Sequence, residues 1–205
     1  MKQMIDKDAL VIGATGATGS CLVDVLLADP AYRSVRIFVR KPTGKQHAKL
    51  VEHVIDFSDL EACSDLIRGD VAFSCLGTTL KDAGSKEKQW AIDFEIPASF
   101  ARIARQNGVH TFALVSAAGS SSKSKLFYSR MKGMLEDRIR ELAFPSCVIL
   151  RPGLLERPGS DRPMEYLAVR IVHFFNRIGL LRQYRPLPVH ELAEELALKA
   201  KGQVI

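Results

Sequence analysis

A short apolar run at residues 9–12 leads into a turn with glycines at three-residue intervals, Gly13, Gly16 and Gly19. A helical pattern follows at once over residues 17–28. Glycine supplies the unusual dihedrals of such a turn and, lacking a side chain, lets a ligand approach the main chain. The helix would direct its unpaired amide groups and positive dipole end at an anion. The segment predicts a strand, turn and helix that bind the pyrophosphate of a dinucleotide.

Apolar runs and helical patterns alternate along the whole chain. The predicted strands are residues 9–12, 35–39, 53–55, 71–76, 109–115 and 147–150, and the predicted helices are 17–28, 58–67, 86–107, 124–142, 164–178 and 189–199. Pro97 is expected to kink or divide the third of these helices. The pattern predicts an α/β fold, a doubly wound parallel sheet of the Rossmann type with helices on both faces. We expect one domain over residues 1–205, in which residues 152–190 add a small, substrate-facing C-terminal helical lobe.

The 29 lysines and arginines exceed the 23 acidic residues, which gives a formal net charge of +6. The basic residues are dispersed and no nucleic-acid-binding motif accompanies them, so we expect no nucleic-acid partner. No apolar run approaches the roughly 20 residues that span a bilayer, and no hydrophobic signal core begins the chain. The four cysteines lack metal-type spacing, and Cys75 and Cys147 are expected to be reduced and buried in strands. We therefore expect a cytoplasmic location and no metal site.

The cofactor type depends on the end of the second strand, where Arg40 and Lys41 stand. An acidic residue there would bind the ribose hydroxyls of NAD, whereas two cations favour the 2′-phosphate of NADP. The alternative is that both are ordinary surface residues. The remaining predicted cofactor contacts are Ala14, Thr15, Ala17 and Thr18 in the turn, Asp56 and Phe57 after the third strand, and Cys75, Leu76 and Gly77 after the fourth. For Asp56, capping of the following helix is an equally good interpretation.

Tyr128 and Lys132 are four residues apart in a segment with helical periodicity, so both side chains share one face. A neighbouring ammonium group stabilises a phenolate, which lowers the pKa of a tyrosine from about 10 and makes it a usable acid or base. Ser116 follows the fifth strand and could hold a substrate carbonyl or alcohol. The serines at residues 120–122 compete with it for that role.

The glycine turn, Ser116, the Tyr128-x-x-x-Lys132 pair and Arg151-Pro152-Gly153 together resemble the short-chain dehydrogenase/reductases. The chain is most similar to their small atypical branch, the NAD(P)-binding proteins similar to the human Tat-interacting tumour suppressor. The resemblance implies that Tyr128 donates or accepts the proton and that Lys132 binds the nicotinamide ribose. It also implies that Ser116 orients the substrate and that Pro152 lies beside the nicotinamide. Asp93 stands where enzymes of the family often carry asparagine.

The leading hypothesis is an NADP-dependent oxidoreductase that transfers a hydride between nicotinamide and a small-molecule carbonyl or alcohol substrate. The alternative is a non-catalytic NADP(H)-binding sensor or regulatory partner-binding protein on the same fold. Under either hypothesis, the sequence leaves open whether the protein binds a protein partner or forms a homo-oligomer. Residues 166–178 are apolar with basic interruptions, and a helix packed on the domain explains them better than a membrane surface does.

Overall fold

The computed structural model describes residues 6–153, 155–156 and 187–202. Six strands form one parallel sheet: β1 (Lys7–Ile12), β2 (Tyr32–Val39), β3 (Leu50–Val54), β4 (Val71–Ser74), β5 (Thr111–Val115) and β6 (Ser146–Leu150). Their order across the sheet is β3-β2-β1-β4-β5-β6. The strand order reverses between β1 and β4, which opens a crevice at their carboxyl ends. The predicted doubly wound fold is confirmed.

Helices and a second small sheet complete the described part of the chain. The helices are α1 (Ala17–Ala28), a 3-10 helix (Glu61–Leu66), α2 (Leu80–Ala83), α3 (Lys86–Trp90), a π-helical segment (Ala91–Glu95), α4 (Ile96–Gln106), α5 (Phe127–Glu141) and α6 (Val189–Ala200). Two short parallel strands, β7 (Leu155–Glu156) and β8 (Leu187–Pro188), pair with each other. The sequence patterns did not predict α2, β7 or β8.

Each face of the sheet is covered by its own set of helices. Ala9 and Val11 of β1 belong to the core that contains α1 and α6, while Leu10 and Ile12 belong to the core that contains α4 and α5. All four side chains are buried. A strand buried on both faces has no polar alternation, which explains why β1 reads as a continuous apolar run.

The predicted helix at residues 86–107 is divided. The division is the π-helical segment Ala91–Glu95, which ends two residues before Pro97 in the first turn of α4. The predicted helix at residues 58–67 is only the 3-10 helix Glu61–Leu66. The predicted helix at residues 124–142 begins at Phe127.

The predicted last helix at residues 189–199 is present as α6, Val189–Ala200. It packs against α1 in the core through Leu192 and Leu196. The predicted helix at residues 164–178 and most of the lobe at 152–190 lie outside the described residues. Cys147 is exposed on the edge strand β6, so its predicted burial is wrong, while all four thiols are free. No described helix has the length and apolar character that crossing a bilayer requires.

Gly133 lets the serine-rich loop after β5 pack directly on α5. A Cβ atom at Gly133 would lie 2.2 Å from both the Ser121 carbonyl carbon and the Ser122 amide nitrogen. The Ser121 amide donates to the Ser129 carbonyl on the same helix, at 3.0 Å. The absent side chain therefore positions the loop that begins with Ser116.

We expect Gly133→Ala to destabilise the fold by about 2–3 kcal/mol, because the clash is with backbone that must move. If a glycine inside a helix had open space around it, replacing it with alanine would instead stabilise the protein by about 1 kcal/mol. Urea denaturation of the variant measures the difference. Met134→Ala, an exposed neighbour on α5, is the control and should change stability by less than about 0.5 kcal/mol. A stabilised Gly133→Ala would contradict the packing described.

Candidate functional site

The glycine turn joins β1, α1 and the loop after β4. Gly13 has a φ of +78°, and a Cβ there would lie 2.6 Å from the Cys75 carbonyl carbon. The Gly16 amide donates to the Gly13 carbonyl at 3.0 Å, which closes the turn. A Cβ at Gly19 would lie 2.0 Å from that same carbonyl oxygen. Glycine is thus required at residue 13 by its positive φ and by the close approach of the Cys75 backbone. Glycine is required at residue 19 because α1 approaches the turn closely there.

The amino terminus of α1 is an open anion site. Gly16 is the N-cap, with no side-chain capping bond, and the first turn carries no acidic residue. A Cβ at Gly16 would meet only the Gly13 carbonyl oxygen, at 3.4 Å. Among the described residues, no other atom fills the space beside Gly16, so a ligand could approach the backbone there. Thr15 and Ala17 are exposed beside it, whereas Ala14 and Thr18 are buried. These features fit a dinucleotide pyrophosphate.

A first cavity of about 320 Å³ extends from the glycine turn towards the end of β2. Arg40 and Phe57 line it, together with Phe38, whose ring stacks on His53 at 5.3 Å between centroids. The remaining described lining residues are Gly13, Ala14, Thr15, Gly16, Val39, Cys75, Leu76, Gly77, Thr78, Asp82, Ile92 and Ile96. Of the two predicted 2′-phosphate ligands, Arg40 lines this cavity and Lys41 does not.

Asp56 is engaged in a turn and does not line the first cavity. Its Oδ1 accepts bonds from the Ser58 amide and from the Ser58 hydroxyl, both at 2.8 Å. These two bonds lower the pKa of the Asp56 carboxyl below its usual value. These bonds close a turn over residues 56–58 and do not cap the following 3-10 helix, which begins at Glu61. Phe57 is the member of this predicted pair that lines the cavity.

Two buried side chains, Gln89 of α3 and Asp93 of the π-helical segment, hold the loop after β4. Asp93 Oδ1 accepts from the Thr78 amide at 2.8 Å, and Gln89 Nε2 donates to the Thr78 carbonyl at 3.1 Å. β4 ends at Ser74, two residues short of the prediction. The Cys75 amide still donates to the Ile12 carbonyl of β1, and the chain beyond it leads to the contacts of Thr78. π-helical turns are rare and often occur at functional sites. Asp93 thus fixes the rim that both cavities share.

A second cavity of about 790 Å³ lies on the other side of that rim, and it contains the predicted catalytic residues Ser116, Tyr128 and Lys132. Its other described lining residues are Gly16, Ala17, Thr18, Cys75, Leu76, Gly77, Thr78, Thr79, Leu80, Lys86, Gln89, Val115, Leu126 and Phe127. The two cavities share Gly16 and residues 75–78. They form one cleft across the carboxyl ends of β1, β4 and β5.

Lys132 is almost wholly buried and points at the rim of the cleft. Its Nζ is 3.4 Å from the Leu76 carbonyl oxygen and 6.0 Å from the centroid of the Tyr128 ring. Burial lowers the pKa of Lys132, and the negative charge of Asp93 opposes that shift. Burial likewise raises the pKa of Asp93, and the ammonium of Lys132 opposes it. The two groups therefore stabilise each other's charge beneath Tyr128.

Ser116 is held by a buried carboxylate that the sequence analysis missed. Its hydroxyl donates to Glu136 Oε1 at 2.6 Å and lies 3.2 Å from the Ser120 hydroxyl. The Arg151 Nε donates to Glu136 Oε1 at 2.9 Å, and the Arg140 guanidinium donates to Oε2 at 2.9 Å. Glu136 lies four residues after Lys132, among the buried positions of α5. A carboxylate at such a position is the sequence signal that could have pointed to this cluster.

The same cluster fixes the ends of β5 and β6. The Ser116 amide donates to the Leu150 carbonyl at 2.7 Å, and the Ala118 amide donates to the Pro152 carbonyl at 2.8 Å. Pro152 is not among the described residues that line either cavity. In the described part of the chain, no three histidine, cysteine or acidic side chains lie together as a metal site would require.

Residues 13–165 match a protein family described as NAD(P)H-binding. The chain belongs to this family. The matched segment begins at the first glycine of the turn and includes every side chain placed at the cleft from Gly13 to Arg151. A dinucleotide-binding fold is therefore established for the chain, and the resemblance based on the sequence motifs is confirmed.

Curated relatives in the family are fungal proteins. Protein fmp52-2, mitochondrial, of Aspergillus oryzae is 33% identical over 178 residues, which are 83% of this chain and 76% of that protein. Protein FMP52, mitochondrial, of Candida albicans is 37% identical over 150 residues, 71% of this chain and 66% of that protein. The names of these relatives overturn the expected cytoplasmic location. Reduced cysteines do not distinguish the cytosol from other reducing compartments.

Solved structures with the same fold include short chain dehydrogenases and nucleotide-sugar epimerases. A short chain dehydrogenase from Burkholderia cenocepacia in complex with NADP has a TM-score of 0.67 at 19% identity, over 98% of this chain and 87% of that one. MoeE5 in complex with UDP-glucose and NAD has a TM-score of 0.70 at 18% identity, over 94% of this chain and 71% of that one. At these identities the likeness concerns the fold alone.

Glu136→Gln should destabilise the protein by about 1–3 kcal/mol at pH 7, because it weakens charge-assisted bonds to two arginines and Ser116. The estimate stays modest because Arg151 and Arg140 are about half exposed. These bonds lower the pKa of Glu136 in the folded protein. Its stabilisation is therefore present above the unfolded pKa of about 4.3 and is lost as the pH falls through the lower folded value.

Urea denaturation of the wild type and of the Glu136→Gln variant, at a series of pH values from 7 to below about 4.3, measures this effect. The difference in unfolding free energy between the wild type and Glu136→Gln should shrink as the pH falls below about 4.3. A difference that stays constant over that range would show that the carboxylate charge is not what stabilises the cluster.

Proposed function

We propose that the protein is an NADP-dependent oxidoreductase that transfers a hydride between nicotinamide and a carbonyl or alcohol substrate. The observation that carries the proposal is the single cleft described above. It holds an open phosphate site at Gly16, a cation at Arg40 on one side, and the Tyr128–Lys132 pair on the other. A protein that only bound a nucleotide would not need an acid–base pair at the opposite end of that cleft.

Arg40 supports NADP over NAD. It lines the first cavity at the end of β2, where the adenine ribose of a dinucleotide would lie in a sheet of this order. A guanidinium group can bind a phosphate through two parallel bonds. Among the described lining residues of this cavity the one carboxylate is Asp82, which follows β4 and not β2.

The bound cofactor would supply or accept the hydride, and the protein's residues would manage the proton. Tyr128 donates its hydroxyl proton to the substrate oxygen in reduction and removes it in oxidation. The positive charge of Lys132 stabilises the phenolate that remains, and Asp93 keeps that charge in place. The Ser116 proton is directed at Glu136, so this hydroxyl offers lone pairs to a substrate alcohol.

The engagement of Ser116 by Glu136 favours one second candidate, a non-catalytic NADP(H) sensor that binds a protein partner or a second copy of itself. In that protein the serine would serve only the fold. The cofactor would then change the affinity of a partner without being consumed. Turnover distinguishes the two candidates.

Arg40→Ala should weaken NADPH binding about tenfold and leave NADH binding nearly unchanged, because only NADPH carries the 2′-phosphate. Calorimetric titration of both cofactors measures this. Lys41→Ala is the matched control, since Lys41 is the adjacent cation and does not line the cavity. Equal losses for the two cofactors in Arg40→Ala would reject the assignment of Arg40 to the 2′-phosphate.

Tyr128→Phe should reduce turnover at least a hundredfold across a panel of carbonyl substrates with NADPH, because it removes the proton donor. NADPH affinity should stay within about twofold, since the ring remains in place. Initial rates and calorimetry on the same preparations separate the two effects. Turnover that survives the substitution would reject the mechanism, and cofactor binding without wild-type turnover would favour the sensor.

A further inference from the structure

The wall of the second cavity that faces away from the glycine turn is apolar. Leu80 contributes to it from α2, Leu126 precedes α5, and Phe127 begins α5. Leu126 is 70% exposed and Leu80 is 47% exposed. Large apolar side chains left in contact with water beside a reaction site fit the apolar body of a ligand.

One cation stands above this apolar wall. The Nζ atom of Lys86 lies 5.7 Å from the centroid of the Phe127 ring, at the start of α3. Among the described residues that line the cavity, only Lys86 and Lys132 are charged, and none is acidic. Lys132 is buried with its ammonium near the Leu76 carbonyl, whereas Lys86 is exposed. Lys86 is therefore the charge that a substrate would meet at the mouth of the cavity.

No described carboxylate forms an ion pair with Lys86. The adjacent Glu87 bonds to its own backbone amide and to the Ser85 hydroxyl, and these bonds, with a smaller contribution from the charge of Lys86, lower the pKa of Glu87. Its carboxylate is thus engaged at the amino-terminal turn of α3 and acts on Lys86 only through its charge. Among the described residues, a ligand anion would be the first group to form a direct ion pair with Lys86.

We propose that Lys86 binds a carboxylate of the substrate, so that the substrate class is an apolar oxo acid or hydroxy acid. This proposal rests on the proposed function, because it places the reacting oxygen at Tyr128. Phe127 and Tyr128 are consecutive, with Cα atoms about 3.8 Å apart. The anionic group and the reacting group would therefore be the two polar ends of one small molecule whose apolar body lies against Leu80 and Leu126.

The experiment compares two probes that differ only in charge, phenylbutyrate and phenylbutyramide, on protein saturated with NADPH at pH 7. Calorimetry measures the two dissociation constants. Phenylbutyrate should bind about three- to tenfold more tightly, the range expected for one ion pair at a partly exposed site. Lys86→Gln should abolish that preference. Lys88→Gln, a neighbouring lysine on α3 outside the cavity lining, should retain it.

Equal affinities in the wild type, a preference that survives Lys86→Gln, or no binding of either probe at millimolar concentration would each overturn the proposal. The substrate panel separates this proposal from the proposed function. Turnover without a preference for acids would reject the Lys86 site alone. A Lys86-dependent preference without any turnover would uphold the anion site and reject the reaction.

Discussion

The contact between Gly13 and the carbonyl of Cys75 determines how the rest of the site is arranged. It brings the turn after β1 against the loop after β4, at the point where the strand order reverses. A side chain at Gly13 would separate these two segments, and one at Gly19 would push α1 off the turn. Cys75 lines both cavities and Gly13 lines the first, so this junction lies where the two cavities meet.

Two buried charged clusters then position the groups around the junction. Asp93 accepts from the backbone amide of Thr78, and Gln89 donates to its backbone carbonyl. The negative charge of Asp93 also stabilises the ammonium group of Lys132. Glu136 joins Ser116 to Arg151 and thereby the end of β5 to the end of β6. Buried charges of this kind contribute little net stability, but removing one partner is costly. Their consequence is a fixed geometry around Tyr128.

The sequence was sufficient for the fold and for the glycine turn, because period and spacing are local properties. The apolar run of β1, the turn at Gly13 and the helix after it follow directly from neighbouring residues. The boundaries that were mispredicted depend on distant contacts. Beyond the end of β4 at Ser74, the Thr78 backbone is bound by side chains more than ten residues later in the chain, and one of them, Asp93, lies in the π-helical segment.

The sequence predicted several of the side chains that the structure places at the cleft, but not the bonds between them. Tyr128 and Lys132 could be paired from their spacing, whereas the bond from Ser116 to Glu136 joins residues 20 positions apart. Nothing local distinguishes Arg40, which lines the first cavity, from Lys41, which does not. Both residues follow β2, and only the position of the cavity beyond the end of that strand separates them.

A crystal structure of the protein grown with NADPH tests the central claim most directly. The account predicts the pyrophosphate at the amino terminus of α1 over Gly16, the 2′-phosphate at Arg40, and the nicotinamide in the second cavity beside Tyr128 and Lys132. A cofactor bound outside this cleft, or one bound with the nicotinamide directed away from Tyr128, would contradict it.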